Sequence, residues 1–393
     1  MTDVGQASAP ALGYDVDALR AAEFPWAARG DVVFLNNAST GPLPERTVDA
    51  VAAFTRRRAE PWRIGDPDLF DIMRRSRDLA ARLIGATSDE IALMPNTTYG
   101  INLAARALPL RDGDVVLSFD REFPANVYPW MALGGGGVRF EQLPCVDGLP
   151  DEAALARALE RSEVRVVTVS WVQFSTGYRV DLARLGALCR AHGKLFVVDA
   201  IQGVGARPLD VRACHVDILA CGAQKWLLSP WGTGFVYVRR ELLSRLEPGA
   251  VGWMSVRGSD AFSRLVDYDF TYREDARRFE VITLPFQDFA GYVASLELLL
   301  GLGPAAVESH VAALAERVVR WAASRRDVRL VTPRDPARRA GIVALAPPDP
   351  AAASARLTSA GVAHSLREGA IRLSPHCYNT EAEVDAALAV LEG

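Results

Sequence analysis

From residue 91 onward, short runs of consecutive apolar residues alternate with stretches in which apolar side chains recur every three or four positions. The first texture suits strands buried on both faces, the second amphipathic helices. The alternation predicts strands at 91–94, 114–119, 139–142, 164–171, 195–199 and 216–220. Helices are expected at 97–107, 126–133, 151–161 and 182–192. A further strand at 234–238 follows its predecessor too closely for a crossover helix and is expected to run antiparallel. Upstream, the pattern predicts helices at 15–27, 44–58 and 69–84 and a strand at 32–35. Strands and helices in this order build an α/β fold, a mostly parallel sheet covered by helices, with ligands at the carboxyl ends of its strands.

After residue 285 the texture changes. Two long helical patterns, 286–302 and 305–325, precede short strands at 328–331, 341–346 and 370–374 and helices at 351–360 and from 381. The expected division is an N-terminal segment (1–30) packing with a smaller α+β domain (286–393), and a large domain (31–285) that binds the ligand. A chain of 393 residues, half of them hydrophobic, suits two such lobes.

The net charge of −4 comes from 44 basic and 48 acidic residues, well mixed. Without a basic stripe, nucleic acid is not an expected partner. No apolar run reaches membrane-spanning length, and residues 1–12 lack the pattern of a signal peptide. Five scattered cysteines without a CxxC pair read as reduced core residues in a cytoplasmic protein.

Two apolar runs end in one ionisable residue each, Asp199 and Lys225. An acid and an amine so placed are the pair that pyridoxal phosphate needs. The amine joins the aldehyde, and the carboxylate holds the pyridine nitrogen protonated. Other residues at strand ends and element joints extend the set. Thr97 and Thr98 open a helix whose free N–H groups can bind phosphate, although they also suit an ordinary capped helix. Phe123, just past a strand, could stack on a flat ring or fill the core. Arg372, between apolar neighbours, could bind a carboxylate or stand on an exposed edge. The glycines at 134–137 follow a helix and precede a strand, the reverse of a phosphate loop, and read as a turn.

Four segments carry a family resemblance: Asp199-Ala200-Ile201-Gln202; Lys225 followed by Trp-Leu-Leu-x-Pro-x-Gly-x-Gly; Arg278-Phe279-Glu280 with Thr283; and Arg372 ahead of Tyr378-Asn379-Thr380-Glu381. Over about residues 30–390 the chain resembles the class V aminotransferase family of fold-type I pyridoxal phosphate enzymes. That family includes cysteine desulfurases, isopenicillin N epimerase-like proteins and kynureninases. The resemblance implies a seven-stranded type of sheet, pyridoxal 5'-phosphate as cofactor, a small amino acid as substrate and a homodimer with shared sites. Lys225 would form the Schiff base and Asp199 would face the pyridine nitrogen. Gln202 would lie near the phenolic oxygen, Thr97, Thr98 and Gln224 at the phosphate, and Phe123 against the ring. Gln173 and Ser175 are further candidates for the ring, and Thr283 for the phosphate of the neighbouring subunit. Arg372 would bind the substrate carboxylate, with Asn37 and Ala38 at the entrance.

The chain departs from the desulfurase pattern in two places. Gly222-Ala223-Gln224 stands where those relatives have Ser-x-His, and residues 362–369 contain no cysteine. These departures point away from persulfide formation. They favour amino-group or Cα-proton chemistry; the breadth of the family then favours an aminotransferase, with an amino-acid epimerase or a C–S/β-elimination lyase as alternatives. A non-catalytic protein that merely keeps the fold is the least supported reading. Epimerisation needs a second acid, for which Tyr128, His364 and His376 are candidates. Trp62, Trp171, Trp231 and Tyr178 suggest an aromatic-lined pocket.

Overall fold

The computed structural model describes residues 13–392. The stretch at 1–12, expected not to be a signal peptide, lies outside the described residues.

The apolar runs form the strands expected of them. The chain contains β1 (Val33–Phe34), β2 (Ile91–Leu93), β3 (Val115–Phe119), β4 (Arg139–Leu143), β5 (Val164–Ser170), β6 (Leu195–Asp199), β7 (Ile218–Gly222) and β8 (Gly234–Val238). The later strands are β9 (Arg329–Leu330), β10 (Val343–Ala346), β11 (Val362–Ala363), β12 (Ser365–Arg367) and β13 (Ala370–Leu373). Seven of them make one sheet in the order β2-β8-β7-β6-β5-β3-β4. All neighbours are parallel except β8, which runs antiparallel to both β7 and β2. Every residue of β3, β7 and β8 is buried, which is why their sequences are almost wholly apolar; the buried Ser118 hydroxyl of β3 donates to the Thr168 carbonyl at 2.7 Å.

The connectivity creates the place for a ligand. From β3 the chain steps outward to β4, then returns to β5 on the other side of β3 and continues to β6 and β7. Loops after β3 and β5 therefore diverge, opening a crevice at the carboxyl ends of these strands.

A second sheet, β12-β13-β10-β9, lies in the C-terminal part, with a core that includes Val318, Val343, Leu357, Ile371 and Leu388. The β1 strand pairs in parallel with β11. The buried Arg20 guanidinium donates to the Tyr378 carbonyl at 2.7 Å and to Glu383 at 2.8 Å, tying the first helix to the C-terminal part. The Phe286–Leu302 helix packs on the Glu45–Arg58 and Asp66–Ile84 helices, with Phe289 and Leu296 in the larger core.

Three local expectations need correction. The helix expected at 15–27 is two helices, Val16–Glu23 and Pro25–Arg29, because Pro25 cannot continue the first. The helix expected at 126–133 is a four-residue turn, Tyr128–Met131, between 3₁₀ segments. Pro124 and Pro129 remove donors there, while Trp130 is fully buried as an anchor. Residues 362–369 hold two short strands, β11 and β12, too brief for a period to register in the sequence.

No single described helix is long and apolar enough to cross a membrane. The helices Phe286–Leu302 and Pro304–Ala323 pass by composition only as a pair bent by 79°.

Candidate active site

Each strand end contributes one part. After β2, Asn96 caps the Thr97–Ala107 helix by accepting the Tyr99 N–H at 2.9 Å. The Thr97 hydroxyl accepts the Gly222 N–H at 2.8 Å, tying the helix start to the end of β7. Thr98 is exposed, so the first turn presents open donors where phosphate would bind.

After β3, Arg121 adopts the left-handed region (φ 59°), and the chain turns so that Glu122 is buried while Phe123 is 42% exposed. Phe123 meets Phe174 edge-on at 5.3 Å, and the Lys225 amine lies 5.5 Å from its ring centroid. After β6, one Asp199 oxygen accepts the Ile201 N–H at 3.0 Å. Gln202 donates to the Ala38 carbonyl at 3.1 Å and accepts from the Trp226 indole at 2.7 Å.

Lys225 follows β7 in a loop packed against residues 36–41. The Gly41 N–H donates to the Gln224 carbonyl at 2.8 Å. A Cβ on Gly41 would stand 2.3 Å from the Lys225 carbonyl, so glycine permits this approach.

These parts enclose a cavity of about 260 Å³. Its walls include Thr97, Thr98, Phe123, Phe174, Asp199, Gln202, Gln224, Lys225 and Arg372. Ala38 also lines it. A larger cavity, about 660 Å³ around Lys194 and Asp217 at the amino ends of β6 and β7, holds none of these groups.

Burial sets the electrostatics. It lowers the Lys225 amine to about 8, with the Asp199 charge opposing and the Arg372 charge adding. The Asp199 carboxyl is raised to about 6, again by burial, while the Ile201 N–H and the Lys225 charge oppose the rise. Arg372 is lowered to about 10 by burial and then by Arg367. Its guanidinium donates to the Phe174 carbonyl at 2.8 Å and to the hydroxyls of Ser39 and Ser365 at 2.8 and 3.2 Å. Its Nε is buried without a partner, as is the Gln224 amide oxygen. Orphaned polar atoms in the walls of one cavity are what a missing polar ligand leaves. The walls therefore fit pyridoxal phosphate and a carboxylated substrate.

The chemistry-bearing residues missed by sequence reasoning lie behind this first layer. Glu122 accepts from the Ser170 N–H at 2.9 Å, the Gln173 amide at 3.1 Å, the Asn126 amide at 3.4 Å and the Ser170 hydroxyl. Burial pushes it to about 7, helped by the Asp199 charge and opposed by Ser170. Ser39, Ser365 and Phe174 were also missed. Small hydroxyls and carbonyls in loops carry no pattern that marks them as partners of an arginine.

Some expected residues lie elsewhere. Asn37 is fully buried, with its amide oxygen accepting from the Tyr378 hydroxyl at 3.1 Å, and it does not line the cavity. Gln173 is buried against Glu122 rather than facing the ring position, and Ser175 is buried outside the lining as well. Thr283 is exposed and outside this cavity. Of the proposed aromatic lining, Trp62 and Trp231 are 78% and 73% exposed, Trp171 is buried against Gly203, and the Tyr178 hydroxyl donates to Glu152. Phe123 and Phe174 are the aromatics that line the site. Tyr128, His364 and His376 are all outside it. His376 is held neutral, lowered to about 4 by burial.

The family description Aminotransferase class-V matches residues 33–387. The chain belongs to the class-V aminotransferase family. It is a pyridoxal phosphate-dependent enzyme of the α/β fold described above. The uncharacterized aminotransferase YcbU of Bacillus subtilis is 32% identical over 80% of this chain and 81% of that relative. The isopenicillin N epimerase of Streptomyces clavuligerus is 30% identical over 90% and 92%. Among solved structures, the cystine C–S lyase C-DES in complex with cysteine persulfide is 25% identical, covers 94% of this chain and 99% of its own, and has a TM-score of 0.85. The apo cysteine desulfurase of Thermococcus onnurineus NA1, at 24% identity, covers 96% and 97% with a TM-score of 0.85, a likeness of fold. In this class-V enzyme the strand ends open the crevice in which Lys225, Asp199 and Arg372 gather.

Proposed function

We propose that this class-V enzyme acts at Cα of a small amino acid, with Lys225 as its proton-transfer base and transamination as the leading outcome. One observation carries the reading. Lys225 is the only amine among the described residues lining the cavity, and burial brings it to about 8, near the working range of a base.

Bound pyridoxal phosphate supplies an aldehyde for amines and an electron sink for charge developing at Cα. The Lys225 amine is the group that would hold the aldehyde and, once a substrate amine had replaced it there, would be free to take the Cα proton. Arg372, with its unpartnered Nε, binds the α-carboxylate and so orients the Cα–H bond. Asp199, at about 6, is anionic at neutral pH and keeps the ring nitrogen protonated. Thr97, Thr98 and Gln224 hold the phosphate end.

Transamination needs one base that lifts the proton from Cα and returns it two atoms away, beyond the amine nitrogen, at the carbon of the former aldehyde. Epimerisation needs a second acid on the other face, and none of the three candidates lines the cavity. β-Elimination also needs only one base, and the similarity to a cystine C–S lyase favours it as the second reading. No cysteine lines the cavity, which weighs against a sulfur relay through a protein thiol.

We also propose a homodimer in which Thr283 reaches the partner's phosphate site. An apolar exposed segment supports it, with Val266 at 74%, Tyr268 at 91% and Phe270 at 73% exposure. Five free thiols fit a cytoplasmic setting.

Purified protein should be yellow, and borohydride should bleach it and fix the cofactor to Lys225. An amino-acid panel in heavy water then separates the outcomes. Keto acid marks transamination, deuterium at Cα with lost chirality marks epimerisation, and released ammonia or sulfide marks elimination. Protein that takes up no pyridoxal phosphate sinks the reading.

A further inference from the structure

We propose that Arg367 is a second anion-binding residue of the active-site cavity and that the substrate is an amino acid carrying a second acidic group on a short side chain. This inference rests on the cofactor reading above and deepens it.

The hairpin of β12 and β13 places the two arginines together. Its register sets Ser365 opposite Arg372 and Arg367 opposite Ala370. Side chains alternate along a strand, so Ser365 and Arg367 share one face with Arg372. The Arg372–Ser365 hydrogen bond at 3.2 Å follows from that shared face. Arg367 stands two residues beyond Ser365, about 7 Å along the strand. It is exposed, and it lines the same cavity as Lys225 and Arg372.

Its charge is unspent. Among the described residues, the one hydrogen bond Arg367 makes goes to the neighbouring Leu366 carbonyl at 3.3 Å. Among the described residues, no carboxylate lies within ion-pair distance of Arg367 or Arg372. The Arg367 charge also acts on the Arg372 guanidinium and the Lys225 amine, lowering both.

The charges lining the cavity leave two places for anions. Asp199 would be taken by the ring nitrogen and Lys225 by the aldehyde. The phosphate would lie at the Thr97–Thr98 helix start and Gln224. Two guanidiniums remain, Arg372 for the α-carboxylate and Arg367 one step along the same face. Like charges so close repel, and a substrate with two anionic groups relieves that repulsion where a neutral side chain does not. The spacing suits aspartate- or glutamate-sized diacids.

The test uses the holoenzyme and unreactive acids, so that binding is read apart from turnover. Calorimetry compares succinate with butyrate and glutarate with valerate, while the visible cofactor band is recorded in each variant. The diacids should bind about tenfold tighter than the monoacids, the size of one charge-assisted hydrogen-bonded contact. Arg367→Gln should abolish that preference with the cofactor band retained, whereas Arg372→Gln should weaken both classes. The kcat/KM ratio of aspartate to asparagine, or of glutamate to glutamine, should fall about tenfold in Arg367→Gln, through KM. Diacids that bind no tighter than monoacids, or a preference that survives Arg367→Gln, overturn the inference. A wild type without the visible band overturns the cofactor reading instead, so the two failures are distinct.

Discussion

Lys225 gains its reactivity from its surroundings rather than its chemistry. An amine with an ordinary value near 10.5 is almost wholly protonated at neutral pH. Lowered to about 8, it is neutral in about a tenth of molecules at pH 7 and in most at pH 9. The neutral amine is the nucleophile, so cofactor uptake by apoprotein should accelerate with rising pH. Stopped-flow absorbance should show about a tenfold gain between pH 7 and 9 and then a plateau. An uptake rate still climbing steeply past pH 10 would show that Lys225 is not depressed. Lys225 and Arg372 were legible as residues because a lone charge in an apolar run is conspicuous. Glu122 was not, since its Asp-Arg-Glu context reads as a surface turn until tertiary packing buries it beneath Ser170.

At the scale of elements, the site depends on where the Thr97–Ala107 helix meets the sheet. Gly100 faces β7 and β8. A Cβ there would stand 2.7 Å from the Ala220 Cβ and the Met94 sulfur and 2.8 Å from Val236. No larger residue fits without pushing the helix outward, and its first turn would carry the phosphate donors in the proposed site. Gly100→Val should therefore destabilise the fold by about 1–3 kcal/mol and weaken pyridoxal phosphate binding together. Thermal melts with and without cofactor check it; a variant of unchanged stability and cofactor affinity would show that the helix is not held by this contact. The elements themselves were legible wherever runs were long. The Phe286–Leu302 helix and the β6 strand were bounded correctly from pattern alone. Pro25 and Pro129 fall inside helices that apolar spacing alone would have continued.

At the scale of the whole molecule, exposed apolar side chains at 262–270 and the exposed Thr283 form the surface that the proposed second copy of the chain would cover. Sedimentation should show twice the chain mass, and Tyr268→Ser with Phe270→Ser should shift the enzyme toward monomer. In the dimer, Thr283→Ala should weaken cofactor binding by about 1 kcal/mol, the net worth of one hydrogen bond, with no change in the melt of the apoprotein. A monomeric wild type with full cofactor affinity would overturn both expectations.

The alternation of apolar runs and helical periods by itself determined the α/β class, the order of strands along the chain and the identity of Asp199 and Lys225 as the lone ionisable groups that close two apolar runs. Burial on both faces forces such runs, and a run's end is visible in one dimension. Which strands become neighbours was decided in three dimensions. The return from β4 to β5 across β3 opens the crevice. The β12–β13 register sets Arg367 and Arg372 on one face, and the turn at Arg121 buries Glu122 while exposing Phe123. Each of these depends on contacts between residues far apart in the chain, and on desolvation that only packing imposes, so the charges that define the site acquire their final values only in the folded molecule.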